Sequence, residues 1–357
     1  MNTPTQNSAY QAAGVDIDAQ ERGLAEVKRL AKSTFTTAVL SEIGLFGGLY
    51  RPDLRGMVEP VLVASADGVG TKLRVAEMAN DFSTVGRDLV NHCVNDILVQ
   101  GASPIFFLDY VGAGVLDPDK LIELVRGVAA GCRDHGCALL GGETAEMPGF
   151  YRPGDYELVG FVVGLVDRPK ILDGSRVRVG DRLLGLPSAG LHTNGYSLAR
   201  RVLFDTLGLR LGDRLPGSSD TRSVGELLLA PHLSYYQVLQ PYLGHPGLHA
   251  LAHITGGGFT DNLPRVLPEG TAARVELGSW RVPELFRVLA EAGGVEAEEQ
   301  LRVFNLGIGM VVVLDPAGAE SLAAAIPDVE GKRPVFLGEV IPGDGRVHYH
   351  GHLSKAP

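Results

Sequence analysis

The chain has 357 residues, 45% of them hydrophobic, 21% charged and 6% aromatic, the composition of a folded globular protein and neither a disordered nor a fibrous one. At roughly 100 to 200 residues per domain, this length predicts two domains. The formal net charge of −10 opposes sequence-independent binding to phosphate backbones and to anionic lipid, so a nucleic-acid or membrane-surface role is disfavoured. Cys93, Cys132 and Cys137 form no C-x-x-C and build neither a disulfide framework nor a zinc site; the reducing cytoplasm is the expected compartment. Met1 to Ala9 has no basic or apolar region of the kind a secretion signal needs and reads as a short disordered tail. No run of about 18 apolar residues predicts a membrane span.

In chain order, Asp18 and Glu21 have capping-box spacing at the head of an amphipathic helix that places Leu24, Val27 and Ala31 on one face, with Lys28 near its apolar edge. Pro60 to Ala66 is a short strand that breaks into the polar glycine loop Asp67-Gly68-Val69-Gly70-Thr71-Lys72. Ser83 to Gln100 carries a broad apolar stripe of Val85, Leu89, Val90, Cys93, Val94 and Ile97, which predicts a largely buried helix with Asp88, His92, Asn95 and Asp96 along another side. Pro104 to Gly112 is strand-like. Asp117-Pro118 then opens a helix, with aspartate as N-cap and proline in the first turn, that runs to Gly136. Cys137 to Leu140 is a strand ending in an irregular Gly141–Gly149 loop, and Tyr156 to Val166 is another.

The polar, turn-rich stretch Asp167 to Asp181 is the best break in the chain, and a domain boundary is expected near Asp173. The second half predicts a strand over Arg182 to Leu186, then Gly190-Leu191-His192-Thr193-Asn194-Gly195 entering a helix, whose N-terminus is a natural anion site. It continues with a strand over Leu248 to Ile254, the loop Thr255-Gly256-Gly257-Gly258, a helix opened by Pro283, a β run from Val303 to Leu314 and a helix at Pro316. His348, His350 and His352 alternate at the C-terminus and read as a solvated, fraying end. Both halves are α/β.

There is no Walker loop, H-E-x-x-H, G-x-S-x-G or G-x-G-x-x-G. What remains is a set of strand-end loops rich in glycine and in polar residues, the usual place for ligands in α/β proteins. In Asp67 to Lys72 the glycines let backbone approach a phosphate, Thr71 donates, Lys72 supplies charge and Asp67 can hold Mg²⁺; a tight turn with a solvated lysine is the alternative. Asp96, beside Asn95 on the buried helix, needs a partner, whether a ligand or an internal lysine or arginine. Glu143 and Glu146 offer oxygen ligands to Mg²⁺, although Glu146 reads better as a cap or loop charge. His192 is a candidate hydrogen-bond donor or general acid/base. For His253, capping of backbone is as good a reading.

The strings YQAAGVDID at Tyr10, DGVGTKL at Asp67, VNDILVQGASPIFFLDY at Val94, GGETAEMPGFY at Gly141, GLHTNGYSL at Gly190, HITGGGFTDNLPRVLP at His253 and FNLGIGM at Phe304 together resemble the aminoimidazole ribonucleotide synthetase family. The likeness runs in order from about residue 10 to 341. It implies an α/β fold of the α+β type with two domains: an ATP-binding N-terminal domain over 10–172, whose mixed sheet dimerises through its strands, and a C-terminal α/β sandwich over 173–342, with tails at 1–9 and 343–357. It further implies that ATP and Mg²⁺ drive ring closure of formylglycinamidine ribonucleotide, with a homodimer as the assembly. Under this resemblance Asp67, Asp96 and Glu143 hold the metal, with Asn95 near. The Gly68-Val69-Gly70-Thr71 loop and Lys72 meet the nucleotide, and Lys28 matches the nucleotide-site lysine of the first helix. His192 to Gly195 and Thr255 to Gly258 hold the ribonucleotide, with His192, Lys28 and Asp96 as the catalytic set.

The chain departs from the family pattern at Leu191, Thr193 and the segment before Phe304. Simple phosphoryl transfer, as in related kinases, and a non-catalytic nucleotide-sensing module with the same fold are the competing readings.

Overall fold

The computed structural model describes residues 17–353, and side chains from residue 23 onward. The expected tail at 1–9 and the side chains of the Tyr10 to Asp18 string and of the Asp18–Glu21 capping box lie outside what is described. The first half contains α1 (Ile17–Lys32), β1 (Pro60–Gly68), α2 (Lys72–Ala79), α3 (Val85–Leu98), β2 (Ser103–Ala113), α4 (Pro118–Asp134), β3 (Ala138–Glu146) and β4 (Tyr156–Asp167). Its sheet has the order β1-β4-β2-β3, with β2 and β3 parallel and the other pairs antiparallel. Asp117 caps α4 as its sequence predicts, accepting from the backbone N–H of Asp119 and Lys120.

The apolar stripe of α3 is fully buried against Phe107, Leu158 and Val162 of the sheet and Leu124 and Val128 of α4. Gly86 permits the close crossing of α3 and α4, since a Cβ there would stand 2.1 Å from the Leu124 carbonyl oxygen. β3 departs from expectation. The glycine-rich Gly141–Glu146 segment remains a strand because β2 holds it in parallel register, Leu108 against Gly141 through Ala113 against Glu146.

The second half contains β5 (Arg182–Pro187), α5 (Tyr196–Arg200), which widens into a π-turn over Arg201–Thr206, α6 (Val224–Leu228), α7 (Tyr236–Leu239), β6 (Leu248–His253), α8 (Gly258–Asn262), β7 (Thr271–Glu276), α9 (Glu284–Gly293), α10 (Ala297–Val303), β8 (Ile308–Leu314), α11 (Ala319–Ala325), β9 (Val335–Pro342) and β10 (Val347–His350). The sheet order is β10-β7-β9-β5-β8-β6. β8 is buried along its whole length and alternates between two cores: Val311 and Val313 join one, and Met310, Val312 and Leu314 the other. Two expectations are corrected here. Val303 to Gly307 is not strand, because Ala297–Val303 forms a helix and β8 starts only at Ile308. The stretch 343–357 is not simply a tail, because Val347–His350 pairs in parallel with β7 and closes the sheet edge, while His348 Nε2 meets Asp344 Oδ1 at 3.1 Å.

The polar side of α3 joins the two halves. Asp88, Asn91 and Asn95 lie along it at helical spacing, and all three grip the backbone of residues 230–235. Asp88 Oδ1 accepts from His232 N at 2.7 Å, Asn91 Nδ2 donates to His232 O at 2.7 Å, and Asn95 takes Tyr235 N at 2.9 Å and gives to Leu233 O at 2.8 Å. The other Asp88 oxygen meets Lys72 Nζ at 2.6 Å with both side chains 0% exposed, and Lys72 also donates to Ala230 O at 2.7 Å. Lys72 is thus neither solvated nor turned toward a phosphate; its charge is spent on a buried carboxylate. Asn95 is likewise engaged with the backbone of Leu233 and Tyr235.

Removing one partner of this pair leaves the other buried and unpaired. Lys72→Met is therefore expected to destabilise by about 3–5 kcal/mol in urea unfolding, and a Lys72→Met/Asp88→Leu double variant to recover part of that loss. Asn91 Oδ1 also accepts from His135 Nε2 at 2.8 Å, and burial lowers the His135 pKa to about 4. An unfolded histidine ionises near 6.5, so this contribution is complete above about pH 6.5 and is lost as pH falls toward 4. At pH 5 the loss amounts to about 2 kcal/mol, and His135→Gln should flatten the urea-unfolding profile between pH 7 and 5 by that amount.

Candidate active site

Where β1 ends, where β6 ends and where α3 passes between the two sheets, the chain leaves a cavity of about 770 Å³. Its lining includes Ser65, Asp67, His92, Asp96, Asn194, His253, Thr255, Gly256, Asn262 and Arg265. Asp67 is the penultimate residue of β1: its Oδ1 accepts from Gly68 N at 2.7 Å and its Oδ2 lies 3.0 Å from His92 Nε2. Asp96 sits one helical turn beyond His92 on α3, accepting from His253 Nδ1 at 2.8 Å and from Ser65 Oγ at 3.1 Å. The partner that a carboxylate among apolar residues requires is therefore a histidine of the other half of the chain.

Burial opposes ionisation of Asp96, but the His253 hydrogen bond and the nearby His253 and His92 outweigh it and hold the carboxyl below its ordinary range. The same contest raises His92 above an ordinary histidine, with burial outweighed by Asp67 and then by Asp96. The ligating atoms of His92, Asp96 and His253 lie within 4.8 Å of one another. As a donor set for a hard cation, the oxygens of Asp67 and Asp96 are the suitable part, each carboxylate facing the cavity.

The glycine loop after β6 is shaped by Asn262, whose Nδ2 donates to Gly258 O at 2.8 Å and to Gly256 O at 3.2 Å. Its Oδ1 is buried with no hydrogen-bond partner. Gly257 and Gly258 take φ of 99° and 57°, the left-handed region.

The structure brings together Asp67, Asp96, Asn194, Thr255 and Gly256 of the expected set, with Gly257 and Gly258 continuing the loop. It does not bring Lys28 or Glu143 to them. Those two line a second cavity of about 450 Å³, with Asp109, whose carboxyl burial pushes up to about 7. Glu143 is displaced because Gly141–Glu146 continues as strand along β2 instead of looping back. Val69 is fully buried, and Thr71 Oγ1 meets Ser197 Oγ at 3.1 Å.

His192 is 1% exposed and lies behind the cavity wall, stacked on His232 with ring centroids 4.2 Å apart. Its Nε2 accepts from Ala189 N at 3.3 Å, and burial lowers its pKa well below the ordinary value. His192 is thus not among the lining residues of the cavity, where His92 and His253 are the histidines present. Thr193 is also interior, with its hydroxyl between His92 and His232. Gly195 sits ahead of α5 in a left-handed conformation. Sequence reasoning left His232, Asn262 and Arg265 unassigned. For His92 a signal existed, the i,i+4 spacing to Asp96 on one helix face.

Two family models match the chain: AIR synthase related protein, N-terminal domain, over residues 54–166, and the C-terminal domain over 178–350. A phosphoribosylformylglycinamidine cyclo-ligase of Trichlorobacter lovleyi is 49% identical over 333 residues, 93% of this chain and 95% of that one. One from Nitratidesulfovibrio vulgaris is 51% identical over 310 residues, covering 87% and 88%. Among solved structures, Escherichia coli HypE superposes with a TM-score of 0.66 at 21% identity over 92% of this chain and 94% of its own. A hydrogenase maturation protein HypE solved in complex with ATP gives 0.66 at 19%, over 95% and 93%. A thiamine-monophosphate kinase from Stenotrophomonas maltophilia gives 0.63 at 19%, over 95% and 98%.

The glycine loop offers a direct check on the cavity. A Cβ at Gly258 would stand 2.1 Å from the Leu301 carbonyl oxygen, at a φ that L side chains rarely adopt. Gly258→Ala should cost about 1–3 kcal/mol in thermal or urea unfolding and weaken ligand binding at the cavity, measured by calorimetry.

Proposed function

The chain belongs to the phosphoribosylformylglycinamidine cyclo-ligases of the AIR synthase-related family, and from that membership we propose that it closes the imidazole ring of 5-aminoimidazole ribonucleotide at the Asp67–Asp96 cavity. In this reading ATP phosphorylates the formamide oxygen of formylglycinamidine ribonucleotide, releasing ADP. The neighbouring nitrogen then attacks the same carbon, and the oxygen departs as phosphate. Phosphorylation is needed because the unmodified oxygen is a poor leaving group. The observation that carries the assignment to this cavity is the convergence of two carboxylates, two histidines and a glycine loop from both halves of the chain.

Asp67 and Asp96 are the residues that would hold Mg²⁺, whose contribution is to offset charge on the phosphoryl oxygens. His92 and His253 fix the two carboxylates, so the oxygens are oriented before a nucleotide arrives. Arg265 is the guanidinium among the lining residues and takes the phosphate-facing role that Lys72, buried in its ion pair, does not fill. Asn194, Thr255 and Gly256 offer polar and backbone groups to the ribonucleotide. Lys28 and Glu143 stay in the proposal as a nucleotide-contacting pair of the second cavity, not as ligands beside Asp67 and Asp96. Homodimerisation through the first sheet is part of the same reading, supported by exposed Leu62 and Phe161 on one face of the β1–β4 pair and by exposed Phe46.

Phosphate release from Mg²⁺–ATP, assayed with and without formylglycinamidine ribonucleotide while aminoimidazole is scored in the same tubes, tests the assignment. Substrate-dependent phosphate matched by imidazole is expected, and nucleotide binding with neither product would overturn it. Asp96→Asn should lower turnover at least about 100-fold with the melting temperature nearly unchanged, whereas a near-normal rate would remove Asp96 from the metal site.

A further inference from the structure

Behind the cavity, the two carboxylates are joined by a continuous series of hydrogen bonds that no ligand contact requires. From Asp67 Oδ2 it passes 3.0 Å to His92 Nε2, and from His92 Nδ1 2.9 Å to Thr193 Oγ1. It continues 3.2 Å to His232 Nδ1, then from His232 Nε2 3.2 Å to His253 Nε2, and from His253 Nδ1 2.8 Å to Asp96 Oδ1. His92 and His253 touch the carboxylates, whereas Thr193 and His232 reach them only through those two histidines; Asn95 Nδ2 also lies 3.3 Å from His232 Nε2. Every ring is buried: His92 is 4% exposed, His232 0% and His253 6%.

Each imidazole in the series has both nitrogens engaged, so the proton position on one ring dictates the role of the next. Where two Nε2 atoms face one another, one ring must donate and the other accept, and the facing ring is fixed accordingly. The Thr193 hydroxyl performs the same coupling between His92 and His232, accepting from one and donating to the other. His232 is in turn fixed by its own backbone, whose N–H and C=O are held by Asp88 and Asn91 of α3. Its ring is also stacked between neighbours, at 4.2 Å from His192 and 5.0 Å from His92.

We propose that Thr193 and His232 are positioning residues for the reaction, which act through His92 and His253 to hold Asp67 and Asp96 in one mutual geometry set by the seating of residues 230–235 on α3. This rests on the function proposed above for its kinetic test, and it goes beyond it by naming residues that never meet a substrate. Neither residue lines the cavity among the described residues.

The test compares Thr193→Val, which keeps the shape and removes the hydroxyl, with Thr193→Ser, which keeps the hydroxyl, and with His232→Phe. Thr193→Val and His232→Phe should each lower kcat about tenfold or more while KM for ATP and ribonucleotide stays within about threefold, and Thr193→Ser should return kcat to within about threefold of the parent. Because the two residues belong to one series, the double variant should lose no more than the worse single one. Multiplied losses, a Thr193→Val rate within twofold of the parent, or a Thr193→Ser variant as slow as Thr193→Val would overturn the proposal. If His232→Phe does not fold, the valine and serine pair still decides.

A readout independent of turnover is the ring ¹⁵N spectrum of histidine-labelled protein. Thr193→Val should move the resonances of His92 and His232 and, beyond its own contacts, those of His253. An unchanged His253 would sink the coupling even in active protein. A parent protein without cyclo-ligase activity but with this spectral response would instead fault the proposed function and leave the series standing.

Discussion

The structure depends on how a helix buried on nearly all sides disposes of its polar residues. α3 carries Asp88, Asn91, His92, Asn95 and Asp96 through the space between two sheets, and each would be costly there without a partner. Three of them are satisfied by one segment, 230–235, and Asp88 additionally by Lys72. His92 and Asp96 face Asp67 and His253, whose side chains look into the main cavity. The same helix thereby docks the two halves of the chain and supplies the site between them. Docking and site formation are one set of hydrogen bonds, so neither half alone has a complete cavity wall.

This arrangement separates two jobs that the primary structure places side by side. In DGVGTK, Asp67 faces the cavity and Lys72, five positions later, is locked inside the protein by Asp88. In VNDI, Asp96 faces the cavity and Asn95 turns toward Leu233 and Tyr235. In HTN, Asn194 lines the cavity while His192 and Thr193 lie behind it. Each motif is thus half site and half support, and consecutive residues serve opposite sides of a loop or helix.

That division explains what was legible beforehand. Strands such as β1 and β6, the capped start of α4 and the apolar stripe of α3 follow from periodicity and turn chemistry, which are local. That Asp67, Asp96, Thr255 and Gly256 share one cavity follows signals present in the sequence, since glycine loops after strands and a carboxylate on a buried helix each point toward a ligand-facing surface. The orientation of Lys72 was not, since its partner Asp88 and the carbonyl of Ala230 come from other elements. The strand character of Gly141–Glu146 was hidden because its register is imposed by β2 against poor local propensity. His232 carries no motif at all, and its place among three other histidines comes only from the route of the 230–235 segment.

That route also bears on how the protein is made. His232 donates its backbone N–H to a carboxylate 144 residues earlier in the chain. At translation rates of about 5–20 residues per second, Asp88 waits roughly 7 to 30 s for that partner. Throughout that interval the first domain can form its sheet and much of its core and can pair Lys72 with Asp88 and Asp67 with His92, yet the α3 groups that will hold residues 232–235 have only water in their place. The nascent domain therefore has an incompletely packed helix face until the later segment arrives, and this face is a natural point of engagement for a chaperone or protease during synthesis.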